Sequence, residues 1–231
     1  MLLKSLSLAS AAGLAVASPM SRRDAYPPLS TSTFFTLVAN VTDTTKNIFD
    51  PPVNGWSLSG VHSGAGLNAA ILSANGGATF FVNGTGQEVS SASTSVALPP
   101  IASTDGNGQP YYTPQGLQFS DSTTSDEVYI GLNFGLGTKG AGITPGLRSP
   151  YADLFGPFGS TLVVCNETAP AYTRPQYPVR GETVVPDNCV AIKLLAQCAS
   201  GPTLEGVEEL NIITEDVKCY EDVSAIDWSQ Y

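Results

Sequence analysis

Short runs rich in β-branched and aromatic residues recur along this chain, each closed by Gly, Pro or Asn, and no stretch carries a sustained helical stripe. That alternation of strand-like runs and turn residues restricts the fold more than any other feature. Residues 34–41, from Phe34 to Val41, predict a strand rich in aromatic and β-branched side chains. Residues 55–61 place Trp56 and Leu58 between small residues at period two, the sign of a strand with one buried face. Further strands are predicted at 69–73, 78–82, 116–119, 128–134, 161–165, 179–185, 190–195 and 207–213. Residues 190–199 are long enough for a short helix, but Cys189, Val190 and Ile192 favour a strand. Asn75-Gly76-Gly77 and Asn83-Gly84 predict tight turns, while 62–68, 106–114 and 135–146 predict loops. The expected fold is all-β, an antiparallel β-barrel or β-trefoil-like single domain, with a two-sheet β-sandwich as the alternative. No fixed-period repeat points to a propeller or solenoid.

The first residues predict an address. Lys4 gives a basic start, residues 6–16 an apolar run, and Ala15-Val16-Ala17 a small-x-small cleavage pattern. A signal peptide is expected at 1–17, then a short pro-segment at 18–23 ending in the dibasic pair Arg22-Arg23. A β-rich domain is expected over 24–231. No apolar tail follows Trp228, so no lipid anchor is expected. Charged residues make up 13% of the chain and hydrophobic residues 42%, leaving Ser, Thr, Asn and Gly to cover the surface. The net charge is −10, and removing Lys4, Arg22 and Arg23 takes it to −13. Such a surface carries no footprint for nucleic acid or for anionic membranes.

The four cysteines, Cys165, Cys189, Cys198 and Cys219, all lie in the last third. In a secreted chain an even count reads as two disulfides, with three possible connectivities. Sequential pairing, Cys165–Cys189 and Cys198–Cys219, is favoured because it joins neighbouring strands. Zinc is disfavoured: no C-x-x-C spacing occurs and the chain has one histidine. Sequons at Asn40-Val41-Thr42, Asn83-Gly84-Thr85 and Asn166-Glu167-Thr168 predict N-glycosylation at exposed strand ends or loops.

Catalytic constellations are weak, and no catalytic residue, metal or cofactor is assigned. His62 is the single histidine, and Ser63 beside it is the wrong relay partner because neighbours on an extended chain face opposite ways. No G-x-S-x-G motif is present. Gly135-Leu136-Gly137-Thr138-Lys139-Gly140 spells a dinucleotide fingerprint, but Pro145 and Gly146 deny it a following helix, so it reads as a loop. Glu205, Glu208, Glu209, Glu215, Asp216, Glu221, Asp222 and Asp227 read as a solvated acidic face rather than a hydrolytic pair. No calcium loop pattern is present. Trp56, Trp228, Tyr111, Tyr112 and Tyr151 have the chemistry to stack on sugar rings. Trp56 is expected in the core, and Tyr111-Tyr112 is expected exposed as a binding platform.

Two segments resemble known fungal proteins. The stretch Leu58-Ser59-Gly60-Val61-His62-Ser63-Gly64-Ala65-Gly66-Leu67-Asn68-Ala69-Ala70, with Phe80-Phe81-Val82-Asn83-Gly84-Thr85, resembles a group of small secreted proteins of filamentous fungi. Leu162-Val163-Val164-Cys165-Asn166-Glu167-Thr168, with Asn188-Cys189-Val190-Ala191-Ile192, resembles the C-terminal part of phialide-associated cell wall proteins and IgE-binding surface antigens. The resemblance implies an extracellular, wall-associated fungal protein with a Cys165–Cys189 disulfide. The expected function is a non-catalytic secreted cell-wall or conidial-surface glycoprotein. The alternative is a secreted effector or antigen whose partner is a cell-wall polysaccharide or a host protein. A hydrolase using a carboxylate pair or His62 comes third.

Overall fold

A computed structural model describes residues 26–46, 48–120, 126–144, 150–159, 161–167, 177–204 and 210–228. In chain order the strands are β1 (Ser30–Ser32), β2 (Phe34–Val41), β3 (Ser57–Gly64), β4 (Leu67–Ser73), β5 (Thr79–Asn83), β6 (Ser95–Thr104), β7 (Pro110–Phe119) and β8 (Glu127–Phe134). After them come β9 (Gly142–Ile143), β10 (Leu154–Phe155), β11 (Thr161–Cys165), β12 (Val179–Glu182), β13 (Cys189–Ala199), β14 (Thr214–Glu215) and β15 (Val217–Cys219). One five-residue helix, α1 (Gly86–Ser90), and a 3-10 turn at Val223–Ala225 complete the described elements.

The pairing closes on itself. β2 pairs with β5, β5 with β6, β6 with β7 and β7 with β8. β8 then pairs with β12, β12 with β11, β11 with β13 and β13 returns to β2. Every pairing in this circuit is antiparallel, as the all-β antiparallel expectation holds. Alternate residues of each strand enter one core: Phe35 and Leu37, Phe80, Val96, Leu117, Ile130 and Leu132, Val179, Leu162 and Val164, Val190 and Ile192. The hairpin β3–β4 bridges the circuit through single pairs, Val38 with Ser57 and Ala69 with Gly131. Its Leu58 and Leu72 join the same core.

An outer layer covers β13. The pairs β9–β10 and β1–β15 lie outside the main sheet. They join it through bridges from Asp153 to Leu195 and from Tyr220 to Gln197. This explains a departure from alternation in β13: Leu194 and Leu195, on opposite faces, are each 1% exposed. The structure pairs Cys165 with Cys189 and Cys198 with Cys219. The first bond links directly opposed residues of β11 and β13 within the wall. The second joins β13 to β15, fastening the outer layer to the wall.

The strand at 34–41 and the one at 161–165 match their expected bounds, and residues 190–195 lie within the longer β13. Several stretches differ: β3 and β4 take up most of the loop expected at 62–68, β7 begins at Pro110 within the loop expected at 106–114, β9 lies within the loop expected at 135–146, and β12 ends at Glu182 rather than at 185. β6 runs through Pro99 and Pro100, with a register irregularity between Leu98 and Ile101, where prolines that cannot donate to a ladder are tolerated. Residues 207–209 of the strand expected at 207–213 lie outside the described residues, and 210–213 form no strand; pairing begins at Thr214. Helix α1 forms on a capping box in which Thr85 and Glu88 satisfy each other's backbone amides. Lys139 reaches Glu88 Oε1 at 2.6 Å, tying the 135–140 loop to that helix. At Gly137, where φ is +90°, a Cβ would meet the Val96 carbonyl oxygen at 2.7 Å, so close packing requires this glycine.

Candidate functional site

A cleft of about 560 Å³ opens where the outer layer ends, lined by Asn40, Val41, Thr42, Thr44, Asn54, Tyr151, Lys193, Leu195 and Trp228. Strand pairing sets its floor: Asn40 of β2 lies opposite Lys193 of β13. The Val41 amide donates to Asn54 Oδ1 at 2.9 Å, and the Thr42 amide and hydroxyl both donate to the Ala191 carbonyl. The outer layer supplies the aromatic wall. The Ala196 amide donates to the Ala152 carbonyl at 2.8 Å, fixing the backbone beside Tyr151. The Tyr220 amide donates to the Ala196 carbonyl at 2.9 Å, and the Cys198 amide donates back to Tyr220 at 2.8 Å.

Four rings form a continuous series. Tyr26 meets Tyr151 edge-on at 5.4 Å, Tyr151 lies 6.2 Å from Trp228, and Trp228 meets Tyr220 edge-on at 5.7 Å. Tyr220 is buried, and burial pushes its hydroxyl up to about 12. That hydroxyl accepts the Ala152 amide at 3.3 Å, so it acts as a strut behind the cleft. Tyr151 and Trp228 remain half-buried. Lys193 Nζ sits 4.4 Å from the Tyr151 ring centroid, a cation–π contact that positions the ammonium at the cleft. Apolar ring faces flanked by an ammonium and two side-chain amides suit a ligand with both apolar C–H faces and hydroxyls, the surface chemistry of a sugar.

A second cluster surrounds Arg180. Its guanidinium meets Glu127 Oε1 at 2.8 Å, Glu167 in a shorter contact and Glu182 Oε1 at 3.3 Å. The last approach pairs charges without aligning a hydrogen bond, and the buried Nε–H has none. Burial opposes the Arg180 charge, but Glu127 and Glu167 outweigh it and hold the group above its ordinary value. Burial, followed by the charge of Glu127, pushes the Glu182 carboxyl up against the pull of Arg180. Beside this cluster Val163, the Cys165–Cys189 disulfide and Val185 form a small apolar cluster separate from the main core. Among the described residues no group of three or more His, Cys, Asp or Glu side chains is arranged to hold a metal ion.

The predicted site residues fall in different places. Ala17, Arg22 and Arg23 lie outside the described residues. Asn40 is half-buried in the cleft, Asn83 is half-buried with its Oδ1 accepting the Ile213 amide at 3.0 Å, and Asn166 is exposed. Asn166 is exposed as expected of a sequon, whereas Asn83, at the end of β5, and Asn40, one residue before the end of β2, are half-buried. Tyr111 and Tyr112 do not form one platform. They are adjacent in β7 rather than in a loop, so their side chains take opposite faces, with Tyr111 exposed and Tyr112 half-buried. Trp56 packs on the core, edge-on to Tyr177. His62 is exposed on β3, where it pairs with Asn68 of β4, and its side chain has no hydrogen-bond partner among the described residues. Asp216, Glu221, Asp222 and Asp227 are exposed and Glu215 is half-buried, as a solvated face would be; Glu205, Glu208 and Glu209 lie outside the described residues. The pairing of Tyr151 with Trp228 has no local signal, since it depends on the bridge that seats 151–155 on β13.

Residues 32–198 match a family described as a domain of unknown function (DUF7907). The chain is 33% identical over 224 residues to the antigenic protein SchS34 of Stachybotrys chartarum, across 89% of this chain and 94% of that protein. No solved structure matches the chain. The matched segment holds the strand circuit except for the last residue of β13 and stops before Cys219, Tyr220 and Trp228.

Proposed function

Because this chain belongs to the DUF7907 family, which includes its circuit of strands, we propose that it is a non-catalytic, secreted fungal surface glycoprotein and antigen that holds cell-wall polysaccharide in the Tyr151–Trp228 cleft. One observation carries the reading: two half-buried aromatic rings, one lysine and two asparagine amides converge on a single concavity. Among the described residues, those that line the cleft include no carboxylate and no imidazole. A sugar held there has no acid and base on either side of a glycosidic bond, so retention suits the cleft better than hydrolysis. The predicted leader, the two disulfides and the sequons support an extracellular home, and the antigenic relative supports surface display.

The test is a titration of the purified chain with soluble β-1,3-glucan and chitin oligosaccharides, together with co-sedimentation on insoluble wall polysaccharide. Saturable binding is expected, with Trp228→Ala and Tyr151→Ala each weakening it about tenfold. Binding that neither substitution alters would reject the cleft as the site. Mass spectrometry of culture fluid and wall extract would locate the native protein, and its confinement to the cell interior would reject secretion.

A further inference from the structure

Asn40 combines two properties found together at no other sequon of the described structure: it opens a glycosylation triplet and it lines the aromatic cleft. We propose that Asn40 carries an N-linked glycan whose first sugar lies in the cleft over Tyr151 and Trp228, so that glycosylation closes the cleft to outside sugars. This rests on the carbohydrate reading of the cleft and adds its regulation.

The position dictates the outcome. Asn40 is in β2, opposite Lys193, with Val41 held by Asn54 and Thr42 held by the Ala191 carbonyl. Together with the bonds of Ala39 to Trp56 and Gly55, these fix the backbone on both sides of Asn40, whose side chain lines the concavity. Asn166 is exposed, and the Asn83 side chain is engaged with Ile213. A sugar at Asn40 therefore meets aromatic faces that a sugar at Asn166 does not. Attachment precedes folding, while β2 is still unpaired. The Asn40 amide nitrogen bonds to the anomeric carbon of a lipid-diphosphate-linked oligosaccharide, the anomeric C–O bond breaks, the lipid diphosphate leaves and the amide gives up one proton. On folding, the linked sugar is held at high effective concentration beside the rings, which favours it over a free competitor.

The experiment uses the full chain secreted from a glycosylating yeast, compared before and after enzymatic glycan removal and with Asn40→Gln, Thr42→Ala and Thr42→Ser. Thr42→Ala abolishes the triplet while keeping Asn40, and Thr42→Ser restores it. Peptide mass reports occupancy. Acrylamide quenching in a Trp56→Phe background reports Trp228, since the chain has two tryptophans. Occupied Asn40 is expected in the parent and in Thr42→Ser, with quenching rising about twofold when the glycan is absent or removed. If the seated glycan leaves the cleft open about a tenth of the time, oligosaccharide affinity rises about tenfold on its loss. Unmodified Asn40 in the secreted protein, or quenching indifferent to the glycan, overturns the proposal. Quenching that responds while no oligosaccharide binds either form rejects the wall-polysaccharide reading and leaves the seated glycan supported.

Discussion

The Arg180 cluster and the Tyr151–Trp228 cleft both lie near β13, and they differ in where their functional groups point. Around Arg180 the charged groups face one another: three carboxylates surround one guanidinium beside a disulfide, although its Nε–H makes no hydrogen bond. In the cleft the rings contact one another only at their edges or obliquely, the Lys193 ammonium lies over the Tyr151 ring, and Asn40 lines the concavity. The first region holds the wall together where β12 meets β8. The second brings aromatic rings and polar heads together around a concavity. Charged side chains can thus be taken up within the fold, while the binding chemistry is assembled from aromatic residues that only the tertiary structure brings together.

Substitutions can break this contrast. The largest effect is expected for Arg180→Ala, which leaves Glu182, Glu127 and Glu167 uncompensated. It should cost about 3 kcal/mol, and by the usual scaling about 10 °C in Tm, without altering sugar binding. Chemical denaturation and oligosaccharide titration read the two halves of that statement. A variant as stable as the parent would show that the cluster is ornamental.

The two disulfides sharpen the comparison. They span similar separations, 24 and 21 residues, so removing either should cost about 3 kcal/mol. Their effects on binding should diverge. Cys165→Ser with Cys189→Ser loosens the wall beside Arg180 and should leave affinity near that of the parent. Cys198→Ser with Cys219→Ser frees the layer that carries Tyr220 and Trp228 and should weaken sugar binding severalfold, as calorimetry would record.

Acidity produces smaller effects of opposite sign. The native Glu182 carboxyl is raised above 4.5. The stability linked to it is fully present below that value and lost as pH rises through the native one. Glu182→Gln should therefore stabilise the protein at neutral pH, with the gain disappearing below about pH 4.5. Glu88 behaves in reverse: its bonds to Lys139 and to the Thr85 backbone hold its carboxyl at about 2. Its contribution is present above 4.5 and fades as pH falls towards 2. NMR titration of Lys139→Ala should move that carboxyl back towards 4.5.

Much of the wall was legible because alternation is a local signal. Phe34 to Val41 bury Phe35, Leu37 and Ala39 at period two, and Thr161 to Cys165 form a compact β-branched run. β6 was hidden because Pro99-Pro100 reads as a stop, although a register irregularity accommodates both prolines. The helix at Gly86–Ser90 had its signal in the Thr85–Glu88 spacing, but it is too short to show a stripe. Tyr151, Trp228 and the Asn40 sequon could each be named from the sequence, but nothing local joined them in one cleft. Tyr151 and Trp228 meet because β10's neighbourhood bridges to Leu195 while the β15 segment bridges to Gln197. The two contacts are fixed by tertiary register alone.

The return of β13 to β2 also governs when this protein can fold. Ser32 and Ala199, joined by a hydrogen bond, are 167 residues apart in the chain, and the β2–β13 ladder beside them is the longest in the circuit. The ring cannot close until nearly all of the polypeptide has left the ribosome. High contact order makes such a fold slow and leaves β2 waiting with exposed edges. Assembly of this protein is thus expected to be a late, whole-chain event, most vulnerable to aggregation in the interval when its first long strand has been made and its last has not.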